Sequence, residues 1–172
     1  MRDLRIIRIM LVIVIVGLVI SGVTAFPLEW EVGVAARILH SSPAVDLLPG
    51  LVAWIDRVHE ALVSTGAEYP FLAYGTDWLA FAHLAIAVAF LGPLVDPVRN
   101  IWVIRWGIAM CVGIVPLALI AGSIRGIPWG WMLIDISFGV VAIVPLLIAL
   151  RLTRRLERSA EPTASTGTAP AR

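Results

Sequence analysis

Four stretches of this chain are too apolar and too long to sit comfortably in water. They cover residues 9–26, 78–95, 101–121 and 129–150, and each holds 18 to 22 residues. A helix of that length spans about 27–33 Å, the thickness of a bilayer's hydrocarbon core. In lipid an open strand or loop leaves backbone N–H and C=O groups without partners, so such stretches must be helical. The expected fold is all-α: an integral membrane protein with four transmembrane helices. Residues 1–158 would form a single membrane domain and 159–172 a disordered cytoplasmic tail rich in Ser, Thr, Ala and Pro.

Composition narrows the function classes. Hydrophobic residues make up 60% of the chain and charged ones 15%, against about 25% charged in soluble domains. Too few polar groups remain to cover a water-facing surface. A soluble enzyme, a disordered chain and a nucleic-acid-binding module are excluded on that ground. Cys111 is the single cysteine, so neither an intramolecular disulfide nor a cysteine metal cluster can form.

Tryptophans mark the edges of the spans. Trp30, Trp78, Trp102, Trp106, Trp129 and Trp131 lie at or near run ends, where amphipathic indoles favour the headgroup level. Every basic residue is Arg, which fits a GC-rich genome and a bacterial cell membrane. Arg2, Arg5, Arg8, Arg99, Arg105, Arg151, Arg154, Arg155, Arg158 and Arg172 fall on one side, and Arg37, Arg57 and Arg125 on the other. The positive-inside rule then puts both termini in the cytoplasm of a multi-pass inner-membrane protein. The first run also resembles a signal peptide, with Val23-Thr24-Ala25 as a cleavage pattern, but it is long enough to stay as a span.

The outer segment, 27–77, is acidic. Ser42-Pro43 and Pro49-Gly50 read as helix starts. Leu51, Ile55, Val58 and Leu62 follow helical spacing opposite Asp56, Arg57 and Glu60, which predicts an amphipathic helix lying on the membrane or capping the bundle. Residues 28–34 alternate and predict an extended stretch; 66–75 read as an ordered loop. Short turns at Asp96-Pro97 and at 126–128 force antiparallel neighbours, so the later spans should form an up-down bundle.

Ionisable groups inside spans are the functional candidates, because burying them in lipid costs several kcal/mol. His83 is five residues past Trp78 and Asp135 six past Trp129. In parallel spans both lie about 8–9 Å below one surface. A His83–Asp135 pair could relay a proton, orient a ligand, or merely join two helices. Arg125, on the same side, can join Asp135 in a mixed-charge site or snorkel to the interface. Asp77 follows Thr76 at a helix start, where either can cap free N–H groups. Depth therefore predicts that Asp135→Asn is more damaging than Asp77→Asn. In the outer segment Asp56, His59 and Glu60 stand at i, i+3 and i+4, a weak metal-ligand spacing or an ordinary solvated face. Ala85/Ala89, Ala109/Gly113 and Ala118/Gly122 make small-xxx-small pairs that let helices approach closely.

No catalytic motif is present, and no catalytic residue or cofactor is assigned. The leading expectation is a small non-enzymatic membrane protein, embedded in the lipid bilayer as an accessory subunit beside other membrane-protein subunits or in self-association. The alternatives are a proton- or small-ligand-handling protein with an outer-leaflet site at His83, Asp135 and Arg125, and a haem- or quinone-linked redox protein, for which His83 is the only histidine in a spanning run.

Overall fold

The computed structural model describes residues 2–160, which contain helices, turns and no strand. Of the expected tail, Ser159 and Ala160 continue the last helix, and 161–172 lie outside the described residues. The elements are α1 (Arg2–Ala25), α2 (Leu28–His40), α3 (Ala44–Leu47), α4 (Pro49–Glu68), a 3-10 turn (Pro70–Ala73), α5 (Tyr74–Ala89), α6 (Leu91–Val95), α7 (Ile101–Ile124) and α8 (Trp129–Ala160). Four stretches are long and apolar enough to cross a membrane: Arg2–Ala25, Pro70–Val95, Ile101–Ile124 and Trp129–Ser159.

The helices overrun the apolar runs at their charged ends. Arg2, Arg5 and Arg8 continue α1, and Arg151 to Arg158 continue α8. Pro93 ends the long stretch of α5: the chain turns at Phe90 and resumes as the short α6, since proline offers no N–H to the preceding turn. Pro116 and Pro145 lie inside α7 and α8, which continue through them.

Two expectations for the outer segment are corrected. Residues 28–34 are not extended but open α2, whose Gly33 and Ala36 are buried; their 3-residue spacing is helical, and it outweighs the seven-residue alternation. The 66–75 stretch is not a loop either. α4 runs to Glu68, and Pro70 starts a 3-10 turn that leads directly into α5. The amphipathic 51–63 stretch lies within α4, with Pro49 in its first turn.

The long helices pack in the order α5, α1, α8, α7. Arg8 Nε donates to the Leu94 carbonyl at 3.3 Å, while Gly22 lies against Ala80 and Leu84, so α1 and α5–α6 run antiparallel. Gly139 against Cys111 and Gly122 against Met132 give the same sense to α7 and α8. The largest fully buried side chains are Ile7, Leu11, Phe90, Pro93, Ile104, Leu146 and Thr153. All seven belong to the Arg-rich half of their helices. There Phe90 reaches across to Trp106, with ring centroids 6.5 Å apart, and closes the packing.

The close approaches are not where the small-xxx-small spacing places them. Ala85, Ala89, Ala109 and Gly113 are exposed, and a Cβ on Gly113 would meet nothing within 4 Å. Only Ala118/Gly122 faces another helix, with Gly122 under the Met132 side chain. The tight backbone contacts are at Gly139, where a Cβ would stand 2.8 Å from the Cys111 carbonyl oxygen, and at Gly22, 3.0 Å from that of Ala80.

Candidate functional site

The turn between α7 and α8 positions the charges that come closest to forming a site. α7 ends in a Schellman closure: the Ile127 N–H donates to the Gly122 carbonyl at 2.9 Å and the Gly126 N–H to that of Ser123 at 3.4 Å. Gly126 takes φ +66, the left-handed conformation that side chains with a Cβ resist. The closure reverses the chain within four residues, so α8 starts at Trp129. Arg125 is left at the turn and Asp135 two turns into α8.

These two residues line one open groove of about 290 Å³ between α7 and α8. Ile114, Leu117, Ala118 and Ile127 form its apolar walls, and Arg125 and Asp135 are its charged residues. They share the groove without forming an ion pair. Asp135 is partly exposed there. A larger hollow of about 480 Å³ lies along Leu4, Arg5, Arg8, Ile9, Val12 and Ile13. All of these residues belong to α1, so it is a concavity on one helix and not a site between helices.

His83 lies elsewhere. α5 packs on one flank of α1 and α8 on another, so the two spans carrying His83 and Asp135 are not principal neighbours. His83 Nδ1 donates to the Leu79 carbonyl of its own helix at 2.8 Å. The expected His83–Asp135 pair is therefore not formed. Short loops alone do not fix lateral order, and α1 takes the position between the two helices.

Asp77 sits in the first turn of α5, where its charge suits the helix dipole. Neither it nor Thr76 caps: the helix starts earlier, at Tyr74, and carries no side-chain cap bond. The Thr76 hydroxyl instead donates to the Ala73 carbonyl at 2.6 Å.

The outer triad does not converge. Asp56 turns to His40 of α2, with both carboxylate oxygens 3.0 Å from Nε2. The His59 ring packs over Gly33, where a Cβ would stand 2.8 Å from Nε2. Glu60 is exposed. Among the described residues no group of three or more His, Cys, Asp or Glu side chains is placed to hold a metal ion. The spacing along α4 is right, but α2 takes up two of the three side chains.

Sequence reading missed His40 as the partner of Asp56, because the two are 16 residues apart and no local pattern joins them. It also missed the buried Thr153 hydroxyl, which has no hydrogen-bond partner. No known protein family, curated protein or solved structure matches this chain.

Proposed function

We propose that this is a non-enzymatic protein of a bacterial inner membrane that works by lateral association. It would serve as an accessory subunit or as one member of a self-associating assembly. One observation carries this reading: within an 18-residue apolar window of each candidate span, only 17–22% of the residues are buried within the chain. The uncovered surface includes the small faces Ala85/Ala89 and Ala109/Gly113, which favour close helix contacts in lipid. It also includes Asp135, an acidic group in a span with no ion-pair partner among the described residues. Such a group favours a neighbour that supplies a donor.

An up-down topology with both termini in the cytoplasm fits the antiparallel contacts and the ten-to-three distribution of Arg. Retention of α1 as a span fits its packing. Ile7, Leu11 and Val14 belong to the core, and Gly22 sits against α5. Cleavage after Ala25 would remove the helix that α5 and α8 share.

The second reading, a proton- or small-ligand-handling site, is favoured by the shared groove of Arg125 and Asp135. It no longer includes His83. A haem-linked role would rest on His83 with a second axial ligand from elsewhere. His83→Ala separates the haem-linked role from the other two readings. Under the association reading the variant folds and assembles as the parent does. A Soret band in the purified parent that disappears in His83→Ala would replace association with redox function.

A further inference from the structure

The segment between α1 and α5 is a two-layered helical hairpin whose outer faces differ in chemistry. α2 and α4 run antiparallel, with His40 at Asp56 and Gly33 at His59. The buried residues of the two helices are Gly33 and Ala36 on α2 and Val52 and Ile55 on α4. Outside, α4 presents Arg57, Glu60, Ser64 and Glu68 among exposed alanines. α2 presents the stripe Trp30, Val34, Ile38, spaced i, i+4, i+8, with Trp30 67% and Ile38 60% exposed, Val34 half-buried and Glu31 along its flank.

At 100° per residue the α2 stripe centres about 130° from Gly33 and Ala36, and the α4 polar set about 150° from Val52 and Ile55. In an antiparallel pair both offsets fall on the same side, so the two outer faces lie about 100° apart, with α4 set back from the level of the stripe. At the apex of the hairpin Leu47 is 75% exposed, with exposed Val45, Asp46 and Leu48 beside it.

We infer that the hairpin lies flat on the bilayer, with α2 sunk into the boundary between headgroups and acyl chains and α4 as its water-facing roof. This rests on the membrane reading above. It reverses the expectation that the α4 stretch itself touches lipid. Chain length selects lipid as the occupant. α1 ends at Ala25 and α2 begins at Leu28, a link that reaches about 10 Å at most. Trp30 must therefore stay near the point where α1 leaves the bilayer. Exposed Phe26, Phe71, Tyr74 and Trp78 mark the same boundary at the feet of α1 and α5. Arg37 borders the stripe, where its guanidinium can reach the phosphate level.

The test uses nitroxide labels on the full chain in phosphatidylcholine–phosphatidylglycerol nanodiscs, in a Cys111→Ala background. Single cysteines replace Ile38, Leu47, Ala61, Ser64 and, as the span reference, the exposed Phe138. Collision with oxygen is compared with collision with a water-soluble nickel chelate. Labels at 38 and 47 should show an oxygen-to-nickel ratio at least about threefold above those at 61 and 64. Equal ratios at all four sites, with 138 immersed in lipid, overturn the inference and leave the membrane reading standing. Protection of 38 and 47 from both reagents also overturns it, since protein would then cover the stripe. A water-accessible 138 sinks both readings. If the background does not fold, brominated lipid replaces the labels in the native-cysteine chain. Trp30→Phe should then remove part of the quenchable tryptophan emission, and unchanged quenching counts against the inference.

Discussion

Gly139→Leu should weaken the packing of α7 against α8, whereas Gly113→Leu should leave it intact. Both residues are glycines in apolar helices, but only Gly113 belongs to a small-xxx-small pair in the sequence. Their surroundings differ. A Cβ at 139 would stand 2.8 Å from the Cys111 carbonyl oxygen and 3.2 Å from Ile114 Cδ1. The carbonyl belongs to backbone, so it cannot swing aside as a flexible side chain would. Overpacking of this kind costs about 1–3 kcal/mol, and the larger value lowers a melting midpoint by about 6–12 °C in a chain of this size. At 113 a Cβ meets nothing within 4 Å, so leucine there adds only surface for lipid. A detergent melting assay on both variants decides the matter. Equal midpoints would show that α7 and α8 do not meet along the Gly139 face.

Asp135→Asn should impair assembly more than it impairs the isolated chain. The Asp135 carboxylate lies inside a helix long and apolar enough to cross a membrane, shares a groove with Arg125, and forms no ion pair among the described residues. The substitution therefore removes no ion pair within the chain, and the melting midpoint of the monomer should move by no more than about 2 °C, the range of a substitution that breaks no contact. An assembly that gives Asp135 a donor from a neighbouring chain loses that charged contact. A loss of about 2 kcal/mol, roughly 30-fold in dissociation constant, is the expected scale. Asp77→Asn should do little in either assay, since Asp77 makes no cap bond in the first turn of α5. Measuring the monomer melt and the association constant together keeps the two roles apart. A large drop in the monomer's stability with unchanged association would make Asp135 a residue of the fold alone.

The four long apolar helices were legible because length and hydropathy act locally: in runs of 18 or more apolar residues a helix satisfies the backbone within the segment itself. α4 was legible for the same reason, with Pro49 at its start and Leu51, Ile55, Val58 and Leu62 on one face. α2 was not, because its contact face is built from Gly33 and Ala36, which carry almost no hydropathy signal. Lateral order was also invisible. Short loops tie α5–α6, α7 and α8 together along the chain, yet α1 stands between α5 and α8 through Gly22 on one side and Ile7 and Leu11 on the other. That placement removed His83 from the candidate site. Arg125 and Asp135 stayed together because the Schellman turn leaves the chain no room to separate them.

The central claim is that this chain acts through other chains in the membrane. Extraction in mild detergent followed by native mass spectrometry tests it most directly, because one spectrum reads proteins and small molecules together. The account predicts a complex of fixed stoichiometry that contains this chain with further copies or with a second membrane protein, and that weakens in Asp135→Asn. A single chain carrying a stoichiometric small molecule, lost in the same variant, would contradict it and assign the groove to a ligand.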